Sequence, residues 1–141
     1  MSRARPPDLL VDTSVAVALV VADHEHHEAV AGAVGPRRLG LAGHAAFETF
    51  SVLTRLPPPA RRHPKIVARL IRTSFPASQF LDRDETAALL DRLADLGIAG
   101  GAVHDALVGA VAAARDLPLV TRDARAVDVY RTLDVDVQLL V

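Results

Sequence analysis

Residues 100–107 are Gly100-Gly-Ala-Val-His-Asp-Ala-Leu107, and residues 119–123 are Leu119-Val-Thr-Arg-Asp123. The two glycines precede an alanine-rich segment that predicts a helix, and the apolar run after it predicts a short buried strand. Asp123 stands where that strand passes into the next helix. This order of helix, buried strand and acid is typical of an α/β fold.

The rest of the chain repeats this alternation of helices and short apolar strands. Near the N-terminus, the run Leu9-Leu-Val11 predicts a strand that ends at Asp12. Short strands alternating with helices favour a central, mostly parallel sheet with helices on both faces. In such sheets the ligand crevice lies outside the carboxyl ends of the strands, where we expect Asp12 and Asp123.

Apolar patterns and capping signals give the bounds of the predicted elements. Strands are predicted at residues 9–11, 38–42, 78–81, 118–121 and 135–140, and helices at residues 13–21, 24–34, 43–56, 64–73, 82–97, 103–115 and 124–133. Asp23 is the predicted N-cap of the second helix, and Pro57-Pro-Pro59 ends the third.

The composition limits the classes of protein that remain. A chain of 141 residues with 50% hydrophobic content has the usual size of one domain, so we expect a single domain over residues 1–141. No apolar run approaches the ~20 residues that span a bilayer, and Asp12 interrupts the apolar core that a signal peptide would need. We therefore expect a cytoplasmic protein with no membrane partner. Because cysteine is absent, metal ligands are limited to carboxylates, histidines and backbone oxygens.

Four acidic residues lie in or beside apolar or small-residue segments: Asp12, Glu48, Asp105 and Asp123. Each has an ordinary structural explanation, because Asp is favoured at helix N-caps and in first turns and Glu48 could pair with His44 one turn away. Together, however, converging carboxylates repel, and without a counter-ion one or more would bind a proton. A hard cation such as Mg²⁺ or Mn²⁺ removes this repulsion, since it prefers oxygen ligands. The pattern therefore predicts a metal site of the kind that serves phosphodiester chemistry.

A basic helix face lies between Glu48 and Asp82, where no other acid occurs. Lys65, Arg69 and Arg72 follow helical spacing, with Arg62 just ahead of the helix. A net charge of −1 gives no overall attraction to nucleic acid, so a phosphate backbone would need such a local row of cations. The alternative is a solvated amphipathic face.

Five short motifs follow one another along the chain: Val11-Asp-Thr-Ser14, Phe47-Glu48, the segment from Gly100 to Leu107, the segment from Leu119 to Asp123, and the closing Tyr130-Arg-Thr-Leu-Asp-Val-Asp-Val137. In this order they resemble the PIN-domain nucleases, and within them the VapC toxins of bacterial VapBC toxin–antitoxin pairs. The resemblance covers nearly the whole chain.

The resemblance implies a site and an activity. Asp12, Glu48, Asp105 and Asp123 would form the acidic quartet of the family, with Asp12 and Asp105 as principal ligands of Mg²⁺ or Mn²⁺. Small polar residues would steady the cluster at positions Thr13, Ser14 and Thr121. The activity would be endoribonucleolytic, leaving a 5′-phosphate and a 3′-hydroxyl. Their spacing and charge make the basic residues Arg62, Lys65, Arg69 and Arg72 the candidates for contacts with such an RNA.

The same resemblance implies a regulatory partner. A cognate antitoxin would neutralise the protein in a hetero-oligomer built on a toxin homodimer, with an apolar groove around residues 15–21 and 45–53 for the partner segment. One departure is His104, where many relatives carry tyrosine, and it affects the rim of the pocket.

Two alternatives remain open from the sequence. A haloacid dehalogenase-like Mg²⁺ phosphatase also places an aspartate after its first strand, but it needs a second aspartate two positions on, where Ser14 stands. A non-catalytic binding domain with the same fold would be expected to have lost a carboxylate, and none is missing.

Overall fold

The computed structural model describes residues 6–141. Within them the helices and strands are β1 (Leu9–Val11), α1 (Thr13–Val20), α2 (His27–Val34), β2 (Leu39–Leu41), α3 (His44–Arg55), α4 (Pro64–Ser74), α5 (Arg83–Leu96), α6 (Ala102–Arg115), β3 (Leu119–Thr121), α7 (Val127–Thr132) and β4 (Val137–Leu139). None of the helices in this part of the chain combines the length and apolar character needed to cross a membrane.

The strands form one parallel sheet in the order β2-β1-β3-β4. Leu10 pairs with Gly40 on one side and with Leu119 on the other. Every residue of β1 and β3 is buried. Because successive side chains of a strand point to opposite faces, helices must cover both faces of the sheet. The predicted α/β fold with a parallel sheet is confirmed.

The strand order places a switch point between β1 and β3. The chain leaves β1 for β2 on one side and later adds β3 on the other. The carboxyl ends of β1 and β3 therefore diverge into separate connections, and the crevice between such ends is where open α/β sheets bind ligands. Asp12 follows β1 directly, and Asp123 follows β3 after one residue.

The predicted strand at residues 78–81 is wrong, although this part of the chain does lie beside the sheet. A single parallel bridge joins Gln79 to Ala42. The backbone N–H groups of Ala77 and Gln79 donate to the carbonyls of Leu39 and Leu41 at 3.0 and 3.1 Å. A side chain interrupts the regular ladder, because the Ser78 hydroxyl accepts from the Leu41 N–H at 2.9 Å. Residues 77–79 thus cover the outer edge of β2.

Two helices begin later than predicted because polar side chains hold turns ahead of them. Helix α2 begins at His27, and its N-cap is His26 instead of the predicted Asp23. The His24 ring accepts from the His26 N–H at 3.1 Å. Before α7, the Asp123 carboxylate accepts from the Arg125 N–H at 3.0 Å. Such side-chain to backbone bonds compete with the first helical turn.

A charged pair joins α5 to α6. Glu85 completes a capping box with Asp82, and its two oxygens accept from the Arg115 guanidinium at 2.8 and 2.9 Å. These bonds from Arg115, and then the Asp82 N–H, lower the pKa of Glu85 to about 2. The carboxylate is therefore favoured in the folded state.

We expect Glu85→Gln to lower the free energy of unfolding at neutral pH but not in strong acid. Since the folded pKa of about 2 lies below the ordinary 4.5, the stability from this carboxylate is present above 4.5 and lost as the pH falls through the folded value. Glutamine can still complete the capping box, so the substitution isolates the contact with Arg115. Urea denaturation at both pH values measures the difference. Asp91→Asn, at an exposed position of α5, is the control, and an equal loss at both pH values would contradict the expectation.

Candidate functional site

Asp12 is an almost fully buried carboxylate at the N-cap of α1. Its Oδ1 accepts from the Ser14 hydroxyl at 2.6 Å and from the Val15 N–H at 3.3 Å, and its Oδ2 accepts from the Tyr130 hydroxyl at 3.0 Å. Burial raises the pKa of Asp12, while hydrogen bonds from Ser14, Thr121 and Tyr130 oppose that rise. The capping role that the sequence allowed is present, and further donors fix both oxygens of the carboxylate.

Hydroxyl groups connect the loops that follow β1 and β3. The Ser14 hydroxyl, while donating to Asp12, accepts from the Arg122 N–H at 2.9 Å. The Thr121 hydroxyl, which is fully buried, accepts from the Asp123 N–H at 3.0 Å. Ser14 and Thr121 thus link the ends of β1 and β3, and their role in positioning the acids stays a prediction.

Glu48 lies on α3 and faces two neighbours. Its Oε2 accepts from the Thr13 hydroxyl at 3.1 Å, which ties α3 to the residue next to Asp12. Its Oε1 lies 3.1 Å from the His44 Nε2. The pairing with His44 that the sequence left open is therefore present, alongside the contact that directs the carboxylate toward α1.

The charges of the other three acids act on Asp105. It lies half-buried in the first turn of α6. The pKa of Asp105 is raised. Burial is the largest cause, followed by the charges of Asp123, Glu48 and Asp12 in that order. Without a cation, the fully ionised cluster is therefore disfavoured.

The negative charge of Asp123 has a cation nearby, on its solvent side. Its Oδ1 lies 3.5 Å from the Arg125 Nε, and the Arg125 side chain is 94% exposed. Solvent screens a pair of this kind, so it contributes little to the charge balance. The repulsion among the acids remains.

The donor set fits a hydrated hard cation. The site offers carboxylate oxygens from separate parts of the chain. Among residues 6–141, the three aspartates do not form a group whose ligand atoms all lie within 4.8 Å, whereas His44, Glu48 and His104 do. Mg²⁺ takes one or two carboxylates directly and keeps several waters, so it does not require three carboxylates within 4.8 Å of one another.

Tyr130 is a site residue whose role was not predicted from the sequence. It is the single tyrosine of the chain, it is 1% exposed, and its hydroxyl donates to Asp12 across the site. Burial, and then the charge of Asp12, raise its pKa well above the usual range, so it remains a donor. The single tyrosine of the chain was an available signal, because a buried hydroxyl needs a partner.

We expect Tyr130→Phe to lower the free energy of unfolding by about 1.5–3 kcal/mol, the usual contribution of a hydrogen bond to a charged group. Urea denaturation at neutral pH without metal measures the change. The control is Thr132→Ala on the same helix, which removes an exposed hydroxyl bonded to the Asp128 carbonyl and should stay within ~0.5 kcal/mol. Equal stability of Tyr130→Phe and the wild type would show that this bond contributes nothing.

The predicted basic face divides into two parts. Lys65, Arg69 and Arg72 are exposed on α4, and among residues 6–141 none of them pairs with a carboxylate. Arg62 differs, because it is half-buried and donates to the Val20 carbonyl at 3.2 Å. Helix α4 packs against α3, which carries Glu48.

Comparison with known proteins agrees with this architecture. Residues 9–132 match a family described as PIN domain. The chain is 47% identical over 131 residues to Ribonuclease VapC27 of Mycobacterium tuberculosis (strain ATCC 25618 / H37Rv), covering 93% of this chain and 96% of that protein. It is 46% identical to Ribonuclease VapC40 of Mycobacterium tuberculosis (strain CDC 1551 / Oshkosh), covering 92% and 96%.

Solved structures share the fold at lower identity. The Mycobacterium tuberculosis VapC20 structure, described as a Sarcin-Ricin loop cleaving toxin, matches with a TM-score of 0.64 and 20% identity over 86% of this chain and 94% of that one. The structure of FitAB bound to an IR36 DNA fragment matches with a TM-score of 0.66 and 16% identity, over 93% and 94%. The predicted resemblance is confirmed: this chain belongs to the PIN domain family, among the relatives of the VapC ribonucleases.

Proposed function

We propose that the protein is a metal-dependent endoribonuclease and the toxin of a type II toxin–antitoxin pair. The observation that supports the proposal is that Asp12 and Asp123 follow β1 and β3, that Glu48 accepts from Thr13 beside Asp12, and that the charges of these three acids raise the pKa of Asp105. The near full-length similarity to proteins named as ribonucleases supports the reaction class. The phosphatase alternative requires a second aspartate at position 14. That position is Ser14, whose hydroxyl donates to Asp12.

Asp12 and Asp105 are the proposed principal ligands of Mg²⁺ or Mn²⁺, with Glu48 and Asp123 acting through water or a second ion. When bound, the ion supplies positive charge that offsets the carboxylate repulsion and stabilises charge developing on the phosphate. Ser14 and Tyr130 keep both oxygens of Asp12 in place, and Thr13 does the same for one oxygen of Glu48.

Glu48 and Asp123 are the proposed proton acceptors. Both are partly exposed, so either can take a proton from a water that attacks phosphorus in line. The new bond joins the water oxygen to phosphorus, the bond from phosphorus to the 3′ oxygen breaks, and that oxygen takes up a proton. The products then carry a 5′-phosphate and a 3′-hydroxyl.

The test is cleavage of cellular RNA by the purified protein, followed by sequencing of the ends. We expect cleavage with Mg²⁺ or Mn²⁺, none with EDTA, and 5′ ends that ligate without prior phosphorylation. Cleavage that persists in EDTA would overturn the metal requirement. No cleavage in vitro and no new RNA ends on induction in cells would favour the non-catalytic binding domain.

The exposed cations of α4 are the proposed RNA contacts. We expect the triple substitution of Lys65, Arg69 and Arg72 by glutamine to reduce the slope of log K against log salt by about 0.7 for each phosphate of a single strand that is no longer neutralised. Arg62 is left unchanged because its guanidinium also holds α1. Binding titrations measure the slope, and the control is the substitution of Arg83 and Arg92 by glutamine on α5. A slope equal to that of the wild type would show that these three side chains do not contact RNA phosphates and that the face is simply solvated.

The proposed partner is a VapB-like antitoxin. A groove of about 400 Å³ lies between α3 and α4, with Phe47, Phe50 and Ile71 in its walls, and Phe47 is 68% exposed. It overlaps the groove predicted from the sequence only at α3, because residues 15–21 do not line it. An amphipathic segment would bury these side chains, and an arginine from it would engage the carboxylates bidentately in place of the cation.

Co-expression with the adjacent small open reading frame tests the partner. We expect a hetero-oligomer built on a toxin homodimer, with RNA cleavage abolished in the complex. Size exclusion and the cleavage assay measure both properties. A toxin that elutes alone and remains fully active would refute this part of the proposal.

A further inference from the structure

Two histidines from different helices meet at Glu48. His44 and Glu48 lie one turn apart on α3, with Nε2 and Oε1 separated by 3.1 Å. His104 comes from α6, and its ring lies against the His44 ring with centroids 5.4 Å apart and planes at 25°. The ligand atoms of all three side chains lie within 4.8 Å of one another.

We propose that His44, Glu48 and His104 form a second metal site, specific for a borderline transition metal such as Zn²⁺. Two imidazole nitrogens and one carboxylate oxygen are a set that Zn²⁺ binds, with a water as fourth ligand. Mg²⁺ prefers oxygen ligands to imidazole nitrogens. The two neighbouring sites therefore select different ions, although they share Glu48.

The spacing of the donors suits such an ion. Ligand atoms about 2.0–2.1 Å from a tetrahedral Zn²⁺ lie about 3.3–3.4 Å from one another. The pair of His44 and Glu48 is already at 3.1 Å. The ligand atoms of His104 lie within 4.8 Å of those of His44 and Glu48, and its side chain is exposed, so rotation of that side chain is the movement that the site requires.

The scaffold holds the two histidines together. Gly43, the residue before His44, approaches α6 so closely that an added Cβ would lie 2.6 Å from the Val111 Cγ2. This contact fixes the start of α3 against α6, and His44 and His104 lie on regular helices on either side of it. Ligands on packed helices keep their positions better than ligands on loops.

A simple ion pair explains only part of this cluster. Contacts one helical turn apart account for His44 and Glu48. They do not account for His104, whose ring nitrogens have no protein hydrogen-bond partner among residues 6–141. A shared cation gives all three side chains one partner.

The shared carboxylate gives the site a regulatory consequence, which rests on the proposed function. An ion held by both histidines draws Glu48 away from the acidic quartet. Zn²⁺ at this position therefore inhibits Mg²⁺-dependent RNA cleavage.

Metal binding is tested without reference to activity. We expect metal-free protein to bind one Zn²⁺ per chain in excess Mg²⁺, measured by calorimetry, and to give the visible bands of tetrahedral Co²⁺. Removal of outer-shell partners alone typically costs about 10–100-fold in metal affinity, so His44→Asn and His104→Asn should each cost at least that much. The control is His26→Asn, because His26 also lies beside a glutamate, at 3.3 Å from Glu25. Affinity that falls in the control and not in His104→Asn would overturn the site.

The inhibition is tested separately by titrating Zn²⁺ into the Mg²⁺-dependent cleavage reaction. Each variant is compared with its own rate without Zn²⁺, and His104→Asn should raise the inhibiting Zn²⁺ concentration at least tenfold. Co²⁺ bands without any RNA cleavage would sink the proposed function but leave the metal site standing. Cleavage without Zn²⁺ or Co²⁺ binding would overturn the metal site alone. Zn²⁺ bound at these residues with no effect on cleavage would overturn the inhibition.

Discussion

Asp105→Asn is expected to abolish RNA cleavage while making the metal-free protein more stable. Asparagine keeps the shape of the side chain but loses the negative charge that a hard cation requires. If the cation supplies several kcal/mol of transition-state stabilisation, the rate falls by about 10³-fold or more. Initial rates under saturating Mg²⁺ measure this loss.

The gain in stability has a defined pH dependence. The folded pKa of Asp105 is raised above 3.8 by burial and then by Asp123, Glu48 and Asp12. For such a group, stability is fully present below the unfolded pKa and is lost as the pH rises through the folded value. Asparagine removes this loss, so the melting temperature in EDTA should rise at neutral pH and match the wild type below about pH 3.8.

Two further variants make the result specific. Asp116→Asn, at the other end of α6, keeps a residue type that tolerates the left-handed conformation found there and should cleave RNA normally. Asp12→Asn should be as inactive as Asp105→Asn, and it should still fold because asparagine is an equally good N-cap. Near wild-type cleavage by either Asp12→Asn or Asp105→Asn would remove that residue from the site.

Gly40→Ala is expected to cost about 3 kcal/mol or more of stability, at the upper end of overpacking effects. A Cβ at this position would lie 2.2 Å from the Ala77 carbonyl oxygen and 2.6 Å from the Ser78 nitrogen. Both atoms belong to the backbone, so no side-chain rotation relieves the clash. The segment that covers β2 would have to separate from it, breaking the bonds that Leu39 and Leu41 accept.

Equilibrium denaturation of soluble protein, or the soluble yield where the variant does not fold, measures the effect of Gly40→Ala. The matched control is Gly32→Ala on α2, where an added Cβ meets nothing within 4 Å. Alanine favours a helix over glycine, so this control should gain up to about 1 kcal/mol. A Gly40→Ala protein as stable as the wild type would show that residues 77–79 do not pack rigidly on the sheet.

Two of the four acids were predictable from the sequence because their positions follow from strand ends. Asp12 and Asp123 come after short apolar runs, and parallel strands bring such ends to one edge of the sheet. The structure of residues 78–81 was not predictable in the same way. Its geometry depends on the close approach of Gly40 to Ala77, and apolar periodicity contains no information about a contact between distant segments.

The same limit applies within the candidate site. Tyr130 and Asp12 are 118 residues apart, and their contact depends on how α7 lies against the sheet. His44 and Glu48 could be paired from helical spacing, but the arrival of His104 beside them depends on the packing of α3 against α6. Local patterns identified the acids that follow strands, whereas the partners that cross between elements needed the structure.

The bond from the Arg122 N–H to Ser14, across 108 residues, means that the candidate site is completed late in the synthesis of the chain. Pairing of β1 with β3 closes a long loop, which is a slow, late event in folding. Until residues 119–130 have left the ribosome, a nascent chain lacks β3, Asp123 and the Tyr130 hydroxyl that donates to Asp12. A chain that ends before residue 119 therefore cannot form the hydrogen bonds from Tyr130 to Asp12 and from Arg122 to Ser14 that complete the candidate site.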